Sequence, residues 1–388
     1  MRSRVVGAVL FGLGVLALVF AAGLAFIVAP TVERLPYDMA PTQSVAEAPN
    51  ARFLQITDGV AKVDTATLRS TTTVQPDAKA TADLQGPLDG DALVWLVGSE
   101  VVRTDTGELV SAYSTSLAVD RRTAAAQQWD KQWLDTGNDR QSVNYSGQIY
   151  KFPFGTERRT YQIYDRDIAR TEPAQFVKTE EIGGLETYQF TQEIRNGTQE
   201  LPADRMQALL GQLLPGETSG QVTYNNTRTV WVEPTTGQYI MVQERQNKAL
   251  VAPDGRSVTI LDAEFTYTDD TISKAADTAK SNRQRLMLVG LWAPLILAVL
   301  GLILIAAGIW LIARRPRTAG AGAPTQRRRG ARHAAATAPA DADRDDGPAA
   351  DADGDDVPAA DADRDDVPTE TLPPADAPPA EKSGSKAD

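Results

Sequence analysis

Paired carboxylates are the one conventional catalytic set in the body of this sequence: Asp165 with Asp167, Glu180 with Glu181, and Asp269 with Asp270. Acid–base work by two carboxyls needs them to converge across a gap, whereas adjacent strand residues point to opposite faces. Asp165 and Asp167 would share a face. Arg166 lies between them, and Arg158, Arg159 and Arg170 lie nearby, a composition that suits ordinary charge pairing. Other catalytic chemistry lacks its residues. There are 0 Cys and 1 His. His333 falls in TQRRRGARHAAATAPA, beyond any foldable domain, so thiol nucleophiles, disulfides, Cys or His zinc sites and His bases are excluded from the body. Ser257, in GRSVT, has the wrong flanks for a nucleophile elbow. Gly183 and Gly184 mark a turn, because neither a G-x-G-x-x-G pattern nor a Walker lysine accompanies them. The expectation is a non-enzyme with no cofactor, no metal and no nucleic-acid partner. Trp129, Trp133 and Trp231 remain as candidate hydrophobic-ligand or lipid contacts, with aromatic core as the plainer alternative.

The elements that would position these residues begin with two apolar runs. Val5 to Ala29 carries no charged or polar side chain and follows Arg2 and Arg4. As a helix it reaches roughly 37 Å, enough to cross a hydrocarbon core. A cleavable signal has a shorter core of about 7 to 15 residues, so the run reads as a retained anchor, although AAGLA near its end offers a cleavage site. Leu286 to Ala313 is a second uncharged run with Pro294 inside it and Trp292 and Trp310 near its ends. Arg2 and Arg4 before the first run, and Arg314, Arg315 and Arg317 after the second, place both termini in the cytoplasm by the positive-inside tendency. Lys280, Arg283 and Arg285 vote the other way and are fewer.

The expected architecture is an α+β membrane protein. Residues 1–4 form a cytoplasmic N-terminus, 5–29 and 286–313 are transmembrane helices, and 30–285 form a β-rich extracytoplasmic domain. Residues 314–388 form a disordered cytoplasmic tail. Within the domain, TVERLPYDMAPTQSVAEAPNA reads as a connector. DALVWLVGSEVVRTD and ELVSAYSTSLAVD read as a hairpin around Gly107, and TRTVWVEP and GQYIMVQERQ as another around TTG. RRTYQIYDRD alternates Tyr161, Ile163 and Asp165 against Gln162 and Tyr164. Residues 121–134 read as a helix with Trp129 and Trp133 on one side, and 202–216 as a helix between Pro202 and Gly216.

Sixteen acidic and four basic residues in 341–388 account for the whole formal charge of -12, leaving the body neutral. The near-repeats PAADADGDD and PAADADRDD have nothing to build a core from. Arginines near the membrane suit anionic lipid, and the acidic repeats suit either a basic cytoplasmic partner or a purely solubilising appendage.

ERLPYD at 33–38, YKFPFGTERRTYQIYD at 150–165, GGLETYQF at 183–190 and a second span followed by arginines give a resemblance. The chain resembles the actinobacterial domain-of-unknown-function 3068 family, also labelled the PorA porin family, over residues 1 to 315. The resemblance implies an envelope membrane protein without a catalytic site. From the residues themselves the leading expectation is an external domain that binds lipid, glycan or another envelope component. A pore or transport component, and a receptor or scaffold coupled to the tail, are the alternatives. A transmembrane β-barrel would need a continuous lipid-facing band on its strands, and the two apolar helices already hold the chain at a bilayer.

Overall fold

The computed structural model describes residues 2–137 and 140–314. The tail assigned to 314–388 lies outside the described residues, apart from Arg314.

The first apolar run is helical throughout. Helix α1 (Arg2–Gly23) continues through a π turn (Leu24–Val28) to Val32. At the other end helix α3 (Asp269–Met287) passes through a second π turn (Leu288–Trp292) into helix α4 (Ala293–Ala313), so stalk and span are one continuous rod. Thr268 caps its start by accepting from the Thr271 N–H, and Asp269 and Asp270 sit in the first turn, where the helix dipole favours negative charge.

Helices α1 and α4 run antiparallel and touch along a seam of small residues. Gly7, Gly14 and Ala21 on one helix, and Pro294, Gly301 and Gly308 on the other, are buried at seven-residue intervals. A Cβ on Gly14 would lie 2.6 Å from the Gly301 carbonyl oxygen, and one on Gly308 would lie 2.7 Å from that of Gly7. The seven-residue period keeps one face of each helix on its partner, and glycine lets the backbones touch.

Between these helices lies one twelve-stranded antiparallel sheet. Strands β1 (Thr42–Thr57), β2 (Val60–Pro76), β3 (Ala92–Arg103) and β4 (Leu109–Asp120) form a meander. The short β5 (Trp133–Asp135) and β6 (Gln141–Ser142) extend it on the β4 side. Strands β7 (Tyr161–Asp165), β8 (Arg170–Ile182), β9 (Leu185–Gln199), β10 (Gln221–Glu233), β11 (Gln238–Val251) and β12 (Ser257–Tyr267) form a second meander, joined to the first by β1 pairing with β12. Helix α2 (Ala203–Leu213) packs at the end away from the stalk, against Val222 and Leu250.

The two outer ends of the sheet are also linked. Val119 of β4 bridges to Ala126, Ala125 to Gln148, and Gln148 to Ile163 of β7. The hydrogen-bonded ladder therefore runs round in a ring and buries two apolar clusters on its inner side. One contains Trp95, Leu117 and Tyr164, and the other Phe152, Phe190 and Val230.

Two expectations are corrected. No helix spans 121–134. The Asp120 carboxylate accepts the N–H groups of Arg122 and Thr123, Ala124 takes a left-handed φ of 55°, and Ala126 is drawn onto the edge of β4. A helix competes poorly where an open strand edge supplies backbone partners. The connector ends sooner than its composition suggests, because residues from Thr42 onward pair with β2. The turns read around Gly107, Gly183–Gly184 and TTG are all present, as is the helix after Pro202.

Candidate functional site

Inward-facing residues follow from the strand registers. Glu244, Gln246 and Lys248 of β11 stand opposite Arg228, Asn226 and Tyr224 of β10, and Gln192 and Ile194 of β9 continue the same face. Halfway along these strands the inner face changes from apolar to polar. Val230 and Val232 lie on the stalk side of the change, and the ionic residues lie beyond it.

Arg228 is the hub. Its Nη2 lies 3.1 Å from Asp165 Oδ2, its Nε pairs with Glu244, and its Nη1 donates to Gln192 Oε1 at 3.0 Å. Tyr224 donates to Asp165 at 3.2 Å, and Lys248 Nζ meets Asp167 Oδ1 at 2.7 Å. Burial pushes the Asp165 carboxyl above its ordinary range, against the pull of Arg228. Burial acts the same way on Asp167, but Lys248 and Arg166 prevail and hold it low. Burial opposes the Arg228 charge, and Glu244 and Asp165 more than offset it.

The opposite wall contributes tyrosines. Arg166 lies over the Tyr113 ring at 4.0 Å, and the Tyr113 and Tyr150 hydroxyls are 3.3 Å apart. The Arg166 side chain is 38% exposed; desolvation opposes its charge, and Asp167, Tyr113 and Tyr150 more than offset that. Burial raises the Tyr267 hydroxyl. Ser44 and Arg228 oppose that rise, while Glu244 and Tyr113 add to it.

The structure disperses the three tryptophans singled out by sequence. Trp129 packs against Leu84, Ala92, Val94 and Ala118. Trp133, on β5, carries Arg140 over its ring at 3.9 Å. Trp231 is 7% exposed and donates to Glu180 at 2.9 Å. Two concavities among the described residues, of about 440 and 380 Å³, are open and are lined respectively by residues around Glu47 and Tyr267 and by residues around Asp120 and Phe154. None of the three tryptophans lines either.

The carboxylate pairs divide similarly. Glu180 serves Lys178 and Trp231, and Asp269 and Asp270 open α3. Asp165 and Asp167 alone join a cluster, each held by its own cation. Their partners were missed by sequence reading, because Tyr224, Asn226 and Arg228, and Glu244, Gln246 and Lys248, alternate with residues that are themselves polar, such as Thr223, Asn225 and Thr227, and Gln243, Arg245 and Asn247.

The outer surface has a different character. Outside the two apolar helices, the large apolar residues exposed among the described residues are Tyr37, Ile56, Val60, Leu109 and Val177. The helices expose more than twenty.

Comparison with known proteins adds a family. The profile described as Porin PorA matches residues 6–310. Porin PorA of Corynebacterium amycolatum is 25% identical over 282 residues, covering 60% of this chain and 73% of that protein. Porin PorA of Corynebacterium resistens is 24% identical over 308 residues, covering 60% and 75%. A MaoC domain protein dehydratase of Chloroflexus aurantiacus aligns over 66% of this chain and 80% of its own, at 10% identity and a TM-score of 0.14.

Proposed function

The chain belongs to the Porin PorA family, and from that premise we propose that this non-enzymatic, membrane-associated protein crosses the cytoplasmic membrane twice and binds a component of the cell envelope through its external sheet domain. The supporting observation is where apolar surface is exposed. It covers the two helices and is nearly missing from the outward faces of the strands. A sheet that crossed a bilayer would carry a continuous apolar band outside. This one carries Lys178, Glu180 and Glu264 there and suits water. The helices, held together by their glycine seam, are the anchor.

The test is accessibility to a membrane-impermeant thiol reagent in intact spheroplasts, after Asn196→Cys or Ser385→Cys. Labelling at 196 and protection at 385 is the expected pattern. Protection of 196, or labelling only at 385, overturns it.

The relatives' name, porin, favours a second reading as part of a pore. Such a pore would be lined by helices from several copies, because the strands lie outside the bilayer. Channel conductance of the purified full chain in a planar bilayer, lost after Gly14→Val, would select this reading. Silence in the bilayer together with the labelling pattern above would select binding alone.

A further inference from the structure

The polar belt inside the ring contains more hydrogen-bonding capacity than its own members use. Asn226 is 2% exposed and lies between Tyr224 and Arg228 on the inner face, yet neither its amide oxygen nor its amide nitrogen has a partner among the described residues. Trp95 is also 2% exposed, and its indole N–H is likewise unpartnered. Its ring meets Tyr150 edge-on at 6.3 Å. The Tyr239 hydroxyl is the third such group. It stands on the inner face of β11, opposite Val232 and beside the Phe152 ring. A buried polar group left unmatched costs about 1–3 kcal/mol, so each of these calls for a partner.

Two features define what would satisfy them. The charges inside are balanced, with Arg228 set against Asp165 and Glu244, and Lys248 and Arg166 against Asp167. An ionic ligand would have to break one of these pairs or add unmatched charge, and both are costly in a desolvated interior. The remaining surface is aromatic and hydroxylic: Tyr113, Tyr150, Tyr239, Tyr267 and Trp95. Flat rings with a polar tip, next to an amide that both donates and accepts, match a ligand whose C–H faces and hydroxyls alternate. The inward-facing Thr72, Ser99, Tyr113, Glu244 and Tyr267 are only partly buried, so this midsection is not closed by packing as the apolar clusters are.

We propose that the belt is a binding site for an uncharged, hydroxyl-rich ligand, a sugar, taken up either free or as the headgroup of a glycolipid. The proposal rests on the binding reading above and names the chemistry of the envelope component. Asn226 is the residue that both donates to and accepts from the sugar. Trp95 and the tyrosines form its walls, and Arg166 stands at the rim.

The experiment uses the full chain in a zwitterionic, sugar-free detergent and follows tryptophan fluorescence and the thermal midpoint as glucose, maltose or dodecyl maltoside is added at millimolar concentration, with inorganic phosphate as the charged control. A saturable response to at least one sugar probe and none to phosphate is expected. A response to maltose identifies the free sugar, and a response confined to dodecyl maltoside identifies the headgroup of a lipid. Asn226→Leu should weaken binding at least about tenfold while leaving the sugar-free midpoint unchanged or higher, since it removes unmatched polar atoms. Trp95→Phe, which keeps the ring and deletes the N–H, should weaken binding with the fold intact. Absence of a saturable response to all three sugar probes overturns the proposal, as does a lowered sugar-free midpoint in Asn226→Leu, which would mean that the amide is already matched. Either failure leaves the spheroplast labelling pattern untouched, so it is distinguishable from failure of the two-pass reading.

Discussion

Arg228 is set against two carboxylates, and its loss would strand both of them in the interior. Breaking a buried ion pair from one side costs about 3–5 kcal/mol, more than the pair itself contributes, because the remaining charge keeps its desolvation penalty. Arg228→Met is therefore expected to lower the chemical-denaturation free energy by about that amount. Adding Asp165→Asn should restore part of it, measured as a non-additive double-mutant cycle. Lys151 behaves differently. Its Nζ donates to the Phe152 carbonyl at 2.9 Å and sits 3.7 Å from the Phe154 ring, with no carboxylate at ion-pair distance among the described residues. Burial brings its pKa down to about 7, with Glu233 opposing. Between pH 7 and the ordinary lysine value of 10.5 the unfolded chain holds a proton that the folded chain has released. Stability should thus rise with pH across that window, by about 1 kcal/mol or more. Lys151→Met should flatten the rise in melting curves taken at several pH values. A steeper rise in the variant would show that the amine is not responsible.

At the scale of elements, two close approaches hold the assembly together. One is the glycine seam. Gly14→Val places side-chain atoms where the Gly301 carbonyl already stands, so the helices must part. Overpacking of this kind costs about 1–3 kcal/mol, and the expected signs are a lower melting point in detergent and slower, opened-hairpin migration in a denaturing gel. The other is the β8–β9 turn on the stalk. Gly183 adopts φ 60°, and a Cβ there would come 2.7 Å from Ala276 Cβ. Ala276 and Ala279 on α3 pack with Ile182, Leu185 and Ile240 of the sheet. Gly183→Val should undock this corner and expose the 182–185 turn to protease in a limited digest, leaving the rest of the sheet resistant. These elements also divide what the sequence disclosed from what it hid. The apolar runs and the glycine-marked turns were legible because length, charge and turn chemistry are local properties. The helix expected at 121–134 was wrong because its fate is decided by the open edge of β4, which is distant in kind from any local propensity. The partners of Asp165 and Asp167 were hidden for the same reason: Arg228 and Lys248 reach them only after β10 and β11 have been laid beside β9 and the ring has closed on β7. The seven-residue glycine spacing was visible in principle, but its meaning depends on two segments separated by the whole domain.

For the molecule as a whole, the decisive property is that the sheet and the anchor face different solvents. Each strand of a barrel in lipid would need apolar groups outside and polar groups within. Here the outward positions are largely charged or hydroxylic, while the inner side holds two apolar clusters and the ionic belt. Residues 33–287, produced without either apolar helix, should then fold in plain buffer. Leu35, which belongs to the inner cluster, and the docked stalk helix are both included, so every apolar surface buried by the sheet retains its cover. The expected result is a soluble protein with β-type circular dichroism and one cooperative melt, unaffected by the addition of lipid vesicles. Aggregation relieved only by detergent, or strand content that appears only with vesicles, would mean that the strands themselves seek the membrane and that the division between sheet and anchor is wrong.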